Sequence, residues 1–213
     1  MCGRYSIGNE IQELAKKHKM EVPSGFQPTY NAAPGQDLPV VSNHNSSTFM
    51  LYHWGIVPFW AKDSSKRLIN ARAETIAEKP TFKQSFQQRR CLIPADSYYE
   101  WKKSPEGKTP YRILRRDASA FFLAGIWDTQ ESGPADFAII TTQASPSIAN
   151  IHDRMPAMLV DEAISLWLSD TEDWEGLQDI LRPYDDQQLR SYPVSTAINR
   201  VSNNEAELRE PLA

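Results

Sequence analysis

The sequence is short of cysteine. Its 213 residues hold two, Cys2 and Cys91, too few for a disulfide framework, and neither stands at a zinc-site spacing from any of the four histidines. A long hydrophobic run is missing too. The longest largely apolar stretch, Ala118 to Trp127, is too short to cross a bilayer, and no basic segment followed by an apolar one opens the chain. These absences predict a cytoplasmic protein, or a nuclear one in a eukaryote, with no membrane partner and no metal. Positive charge is scarce in the second half: residues 117–213 hold 5 Lys and Arg against 17 Asp and Glu, whereas residues 1–116 hold 18 against 10. The balances of −12 and +8 sum to the formal net charge of −4. An acidic total argues against a polyanionic partner, yet the basic first half can form a local face that attracts phosphates. Ordinary solvated charges would give the same count.

What is present fits one globular domain over residues 1–213. Aromatic residues are plentiful, with 6 Trp, 8 Tyr and 8 Phe, enough for a sizeable core. Ile11, Leu14 and Ala15 fall at helical spacing in "NEIQELAKKHKM". The proline- and glycine-rich segment from Gly25 to Pro39 reads as an extended loop. Strands are predicted at Leu38–Val41, Phe49–Trp54, Arg90–Pro94, Tyr98–Lys103, Thr109–Leu114, Phe121–Trp127 and Phe137–Thr142. Helices are predicted in "TFKQSFQQ", in "DEAISLWLSD", and in "TEDWEGLQDIL", the last capped by Thr171. The fold class is therefore α+β: a single β-rich domain with a mostly antiparallel, barrel-like sheet, peripheral helices and a loose tail over the last dozen residues. Cys91 reads as a buried strand residue.

Cys2 directly follows Met1 and precedes Gly3. If Met1 is removed, Cys2 becomes a 1,2-aminothiol with two nucleophiles on adjacent carbons; otherwise it is an accident of a loose terminus. Four further stretches carry chemistry. "WGIVPFWAK" packs Trp54, Phe59 and Trp60 around Pro58, as a stacking platform for bases or as core filling. In "INARAET", Asn70 and Arg72 share a face if extended, where an amide and a guanidinium can orient a sugar or phosphate. Glu100 in "SYYEWK" stands between Tyr99 and Trp101; desolvation by the rings would raise its pKa toward acid–base use, while strand alternation can instead point it to solvent. "NIHDRMPAM" supplies His152, a proton carrier near neutral pH or a structural imidazole. A nucleophile, an amide, a carboxylate and an imidazole on separate segments form a candidate site.

The stretches "MCGRYS", "YNAAPGQ", "WGIVPFWAKD", "INARAET", "RRCLIPADSYYEW" and "NIHDRMPAML", in this order over nearly the whole chain, resemble the SRAP (SOS response-associated peptidase) family. The resemblance implies a single β-rich domain that needs no cofactor and attaches covalently to abasic sites in single-stranded DNA through processed Cys2. It implies a monomer in the cytoplasm, drawn to the nucleoid on damage, with lyase activity and peptidase-type processing of its own N-terminus. Glu100 would activate the amine, Asn70 would hold the sugar, and His152 would serve proton transfers at ring opening. Arg4, Arg72 and Arg154 would bind phosphates, Thr141 would donate a hydrogen bond in the pocket, and Trp54, Phe59 and Trp60 would shape its floor. After "NARAET" this chain reads "IAEKPTFK", where the family pattern has an arginine and a bulky apolar residue, so Lys79 or Lys83 would position DNA instead. Two rival readings are a cysteine autopeptidase in which His152 activates Cys2, and a non-covalent reader of single strands or modified bases.

Overall fold

The computed structural model describes residues 2–63, 65–130 and 133–212. Among them the strands are, in chain order, β1 (Tyr5–Ile7), β2 (Thr29–Ala32), β3 (Asp37–Ser42), β4 (Asn45–Trp54), β5 (Asn70–Arg72), β6 (Arg90–Ala95) and β7 (Ser97–Ser104). They continue as β8 (Gly107–Arg115), β9 (Phe121–Asp128), β10 (Asp136–Gln143), β11 (Arg154–Pro156), β12 (Met158–Leu159) and β13 (Leu189–Pro193). The helices are α1 (Ile11–Lys17), α2 (Pro80–Gln88), α3 (Pro146–Ala149), α4 (Asp161–Leu168) and α5 (Trp174–Asp179). Every strand and long helix read from the sequence is present, in the expected α+β class.

One sheet returns on itself. Its pairings run from β10 to β4, β3, β6 and β9 and back to β10, a ring of strands. Most pairs are antiparallel; β4 and β5 run parallel to β10. Strand β9 is buried from Phe121 to Trp127 without alternation, as an interior strand covered on both faces should be. Gly125 makes this possible: a Cβ there would lie 2.3 Å from Ile93 Cδ1 and 2.9 Å from Cys91 Sγ, so only glycine lets the neighbouring strands close in. Helices α1, α2 and α4 pack on β6 and β9. Helix α1 buries Ile11, Leu14 and Ala15, and α2 begins on Pro80, whose missing N–H is no loss in a first turn.

The second sheet has the order β13, β8, β7, β1, β2. Strand β1 lies inside it, with Tyr5 opposite Tyr98 of β7 and opposite Ala32 of β2.

Three expectations change. The Gly25–Pro39 segment is not wholly loop, because Thr29–Ala32 forms β2 against β1. The cap of α5 is Asp173, whose carboxylate accepts from Gly176 N at 2.9 Å; Thr171 acts one step earlier, accepting from Asp173 N. The chain end is docked rather than loose. Leu208 is buried with Tyr99, Val194 and Ile198, Pro211 bridges to Val194, and Arg209 pairs with Glu10 and buried Asp96. Its few apolar residues find a small separate core on the outer face of β7.

Candidate functional site

The site forms where β1 begins. Cys2 is fully buried, and its thiol contacts Arg4 O at 4.0 Å. Burial pushes the thiol well above its usual range, and the nearby Glu100 charge adds to the effect. It is therefore a neutral thiol, a poorer nucleophile than its thiolate.

Alternation along β7 decides the fate of Glu100, against the solvent-facing possibility. Tyr99 and Trp101 turn outward to the small C-terminal core, so Glu100 turns inward and is only 3% exposed. Burial raises its carboxyl from 4.5 to about 7. The flanking rings face the other way; the desolvation comes from the interior of the fold. At neutral pH such a group gives and takes protons with equal ease.

His152 follows α3, and its backbone N–H donates to Ile148 O. Arg154 N donates to Nδ1 at 3.0 Å, and Asp153 Oδ1 lies 3.0 Å from the same nitrogen. Nε2 lies 3.9 Å from Glu100 Oε2. Burial lowers the imidazole, partly opposed by Asp153. Cys2, Glu100 and His152 thus converge from β1, β7 and the turn before β11. Asn70 opens β5 and donates weakly to Ile139 O of β10 at 3.4 Å; its Oδ1 is buried without a hydrogen-bond partner among the described residues.

The residues expected to touch DNA divide into two groups. Arg72, Lys79, Lys83, Phe59 and Trp60 are exposed, Phe59 by 78% and Trp60 by 51%. Trp54, by contrast, is a core residue: fully buried, packed on Tyr5 and Phe137, with Nε1 donating to Ile69 O. It cannot form a floor for bases. Thr141 is also buried, and its hydroxyl donates to Ala71 O at 3.4 Å. Arg4 is held by Asn31 Oδ1 at 2.6 Å and Ile198 O at 2.9 Å. Arg154 makes a bidentate pair with Glu74 at 2.6 and 2.9 Å. Both guanidiniums are already engaged in the fold. The sequence reading passed over Tyr5 and Tyr98, which are fully buried with hydroxyls unpartnered among the described residues. The signal was available for Tyr98, which stands two residues before Glu100 on the same strand face.

No group of three or more metal-ligating side chains occurs among the described residues, and none of their helices is long and apolar enough to cross a membrane. A Bacillus subtilis protein named abasic site processing protein YoqW is 39% identical over 222 residues, covering 99% of each chain. The Escherichia coli abasic site processing protein YedK is 32% identical over the full length of both. A crystal structure of a Bacteroides thetaiotaomicron protein superimposes with a TM-score of 0.89 over the whole of both chains, at 25% identity. The family described as SOS response associated peptidase (SRAP) matches residues 1–201. With that span matched and these relatives aligned end to end, the chain belongs to the SRAP family.

Proposed function

We propose that this chain processes abasic sites in DNA, capturing them in single strands by a covalent thiazolidine at Cys2 once Met1 has been removed. The observation that carries the reading is Glu100, a buried carboxyl at about 7 beside His152 and near Cys2. An abasic sugar in its open form presents an aldehyde at C1′. The Cys2 amine adds to that carbon, and Glu100 carries first one and then the other amine proton to the C1′ oxygen, so that water leaves and an imine forms. The thiol then attacks the imine carbon: the Sγ–C1′ bond forms, the C=N π pair moves to nitrogen, and the thiol proton passes by way of Glu100 to that nitrogen, which becomes the N–H of the thiazolidine. The second attack is intramolecular, which favours closure.

Asn70, with its unpartnered Oδ1, would accept from a sugar hydroxyl. His152 would move protons when the ring reopens or a strand is cut. Exposed Arg72, Lys79 and Lys83 would bind phosphates, and Phe59 and Trp60 would stack bases, as a monomer acting on a flexible strand requires. Arg4 and Arg154 would reach phosphate only by sharing it with Asn31 and Glu74. A cysteine peptidase gains less support: His152 Nε2 faces Glu100, and burial raises the thiol instead of activating it.

The test is denaturing electrophoresis of the Met1-processed protein with a single-stranded oligonucleotide containing one abasic site. A shifted band that resists denaturant is expected, absent in Cys2→Ala. A stable band of wild-type intensity from the Ala variant would overturn the thiazolidine.

A further inference from the structure

Strand β1 is three residues long, too short to fix its own place between β2 and β7, yet it sets where Cys2 arrives. One carboxylate holds its register. Asp96, 2% exposed between β6 and β7, accepts from Ser6 Oγ on Oδ1 at 2.5 Å and from Gly8 N on Oδ2 at 2.8 Å. Each oxygen fastens one point of the chain. A slip of one residue would turn the core side chains of Tyr5 and Ile7 to the wrong face and carry Cys2 about 3.3 Å along the sheet.

A buried carboxylate needs cations beside it. Arg112 of β8 donates to Oδ1 at 3.0 Å, and the second cation comes from the other end of the sequence. Arg209 Nη1 donates to Asp96 Oδ2 at 3.2 Å and to Glu10 Oε1 at 3.1 Å, with the guanidinium 4.6 Å from the centre of the Tyr30 ring. It is seated on the end of β1: a Cβ at Gly8 would stand 3.0 Å from Nη1. The short turn Ala206–Arg209 that carries it is anchored by Leu208, among Tyr99, Val194 and Ile198 on the face of β7 opposite Glu100. Arg209 O accepts from Arg112 and from the Tyr192 hydroxyl. This turn lies beyond residues 1–201, the span matched to the family.

We infer that Asp96 and Arg209 are positioning residues for Cys2: the turn Ala206–Arg209, docked behind the sheet, locks the register of β1 and with it the place of the nucleophile near Glu100. The inference rests on the covalent reading of the site, in which Cys2 is that nucleophile. Both residues act through Ser6 and Gly8. A reacting group displaced by about 1 Å can lose about a hundredfold in rate, so loosening of β1 is felt at Cys2 before the fold as a whole gives way.

The experiment compares wild type, Arg209→Met, Arg209→Lys and Ser6→Ala, all with Met1 removed. Methionine removes the charge and leaves Asp96 its Arg112 partner. Lysine should rescue, because a single nitrogen of Arg209 serves both carboxylates and an ammonium can stand in its place. Ser6→Ala releases the strand from the other oxygen. Alkylation by iodoacetamide under native conditions, read peptide by peptide, measures the lock: local opening of β1 exposes Cys2 alone, whereas global unfolding exposes Cys91 as well. Single-turnover capture at saturating abasic single strand measures the chemistry, and affinity for an intact single strand measures binding. In Arg209→Met and Ser6→Ala, Cys2 is expected to alkylate about tenfold or more faster with Cys91 unchanged, and capture to slow about tenfold or more with unchanged affinity for the intact strand. Arg209→Lys should match wild type in all three. The inference is overturned by wild-type alkylation of Cys2 in both weakened variants, by a rise in both cysteines together, by unchanged capture, or by a lysine variant as defective as the methionine one. If wild type itself forms no adduct, the covalent reading fails, and the alkylation of Cys2 against Cys91 alone decides whether Arg209 and Asp96 hold the strand.

Discussion

Replacing Glu100 by Gln should make the protein more stable as the pH rises, and the size of the effect follows from burial. The carboxyl is 3% exposed and titrates at about 7 in the folded chain against 4.5 when solvated. A raised acid holds its proton more tightly in the folded state. Its contribution is fully present below 4.5 and is lost as pH climbs through 7, because the unfolded chain ionises first. Each pH unit of that interval is worth about 1.4 kcal/mol, so wild type gives up on the order of 3 kcal/mol between mildly acidic and mildly alkaline solution. Glu100→Gln has no proton to lose and keeps a similar shape. Urea unfolding of both proteins at about pH 4.5, 6 and 8 therefore reads the difference directly, with a slope approaching 1.4 kcal/mol per pH unit where the folded carboxyl is protonated and the unfolded one is not. The same variant should form adduct slowly at every pH and lose the rise in rate centred near 7. A stability difference that stays flat with pH would refute the placement of this carboxyl in a desolvated interior, and its role as the site base would fall with it.

Other outcomes separate fold from site. Trp54→Ala should cost about 3–5 kcal/mol of stability as a cavity in the core, whereas Trp60→Ala should leave urea unfolding nearly unchanged and weaken oligonucleotide binding by about 1–3 kcal/mol per lost stack; the reverse pattern would place the two rings wrongly. Arg72→Ala should weaken capture at physiological salt and less at low salt, since screened phosphate contacts recover there, and Arg154→Ala should also lower the melting temperature by breaking its bidentate pair with Glu74. A salt-independent defect in Arg72→Ala would assign that residue to the fold. His152→Ala should form adduct at near wild-type rate and slow its disappearance when unlabelled abasic DNA is added in excess; slow appearance with normal disappearance would reverse the roles given to His152 and Glu100.

The long strands were legible because each is a run of apolar and β-branched residues bounded by turns, as in Phe121–Trp127. The short ones were not. Strands β1, β5, β11 and β12 have three residues or fewer, and two or three residues cannot display a period; they exist because a neighbour supplies their hydrogen bonds. The candidate catalytic residues were legible from motif and chemistry, yet burial was not. Trp54 and Trp60 stand in one segment with similar neighbours, and only the path of the loop after Gly55, whose φ is 135°, sends one inward and the other out. Arg154 and Thr141 were given ligand-binding roles through the family resemblance, and their partners in the fold, Glu74 and Ala71, were not legible because they lie far away in sequence.

The interior place of β1 has a mechanical consequence. A chain terminus is ordinarily the first part of a protein to give way, but this one is hydrogen-bonded to β2 on one side and β7 on the other. If DNA is tethered at Cys2, a pull along that strand loads both ladders together in shear, and the bonds must fail as a group rather than unzip in turn. Tension on the nucleic acid would then be carried by the sheet itself, which makes the joint a rigid anchor and leaves removal of the protein to whatever unfolds it from elsewhere along the chain.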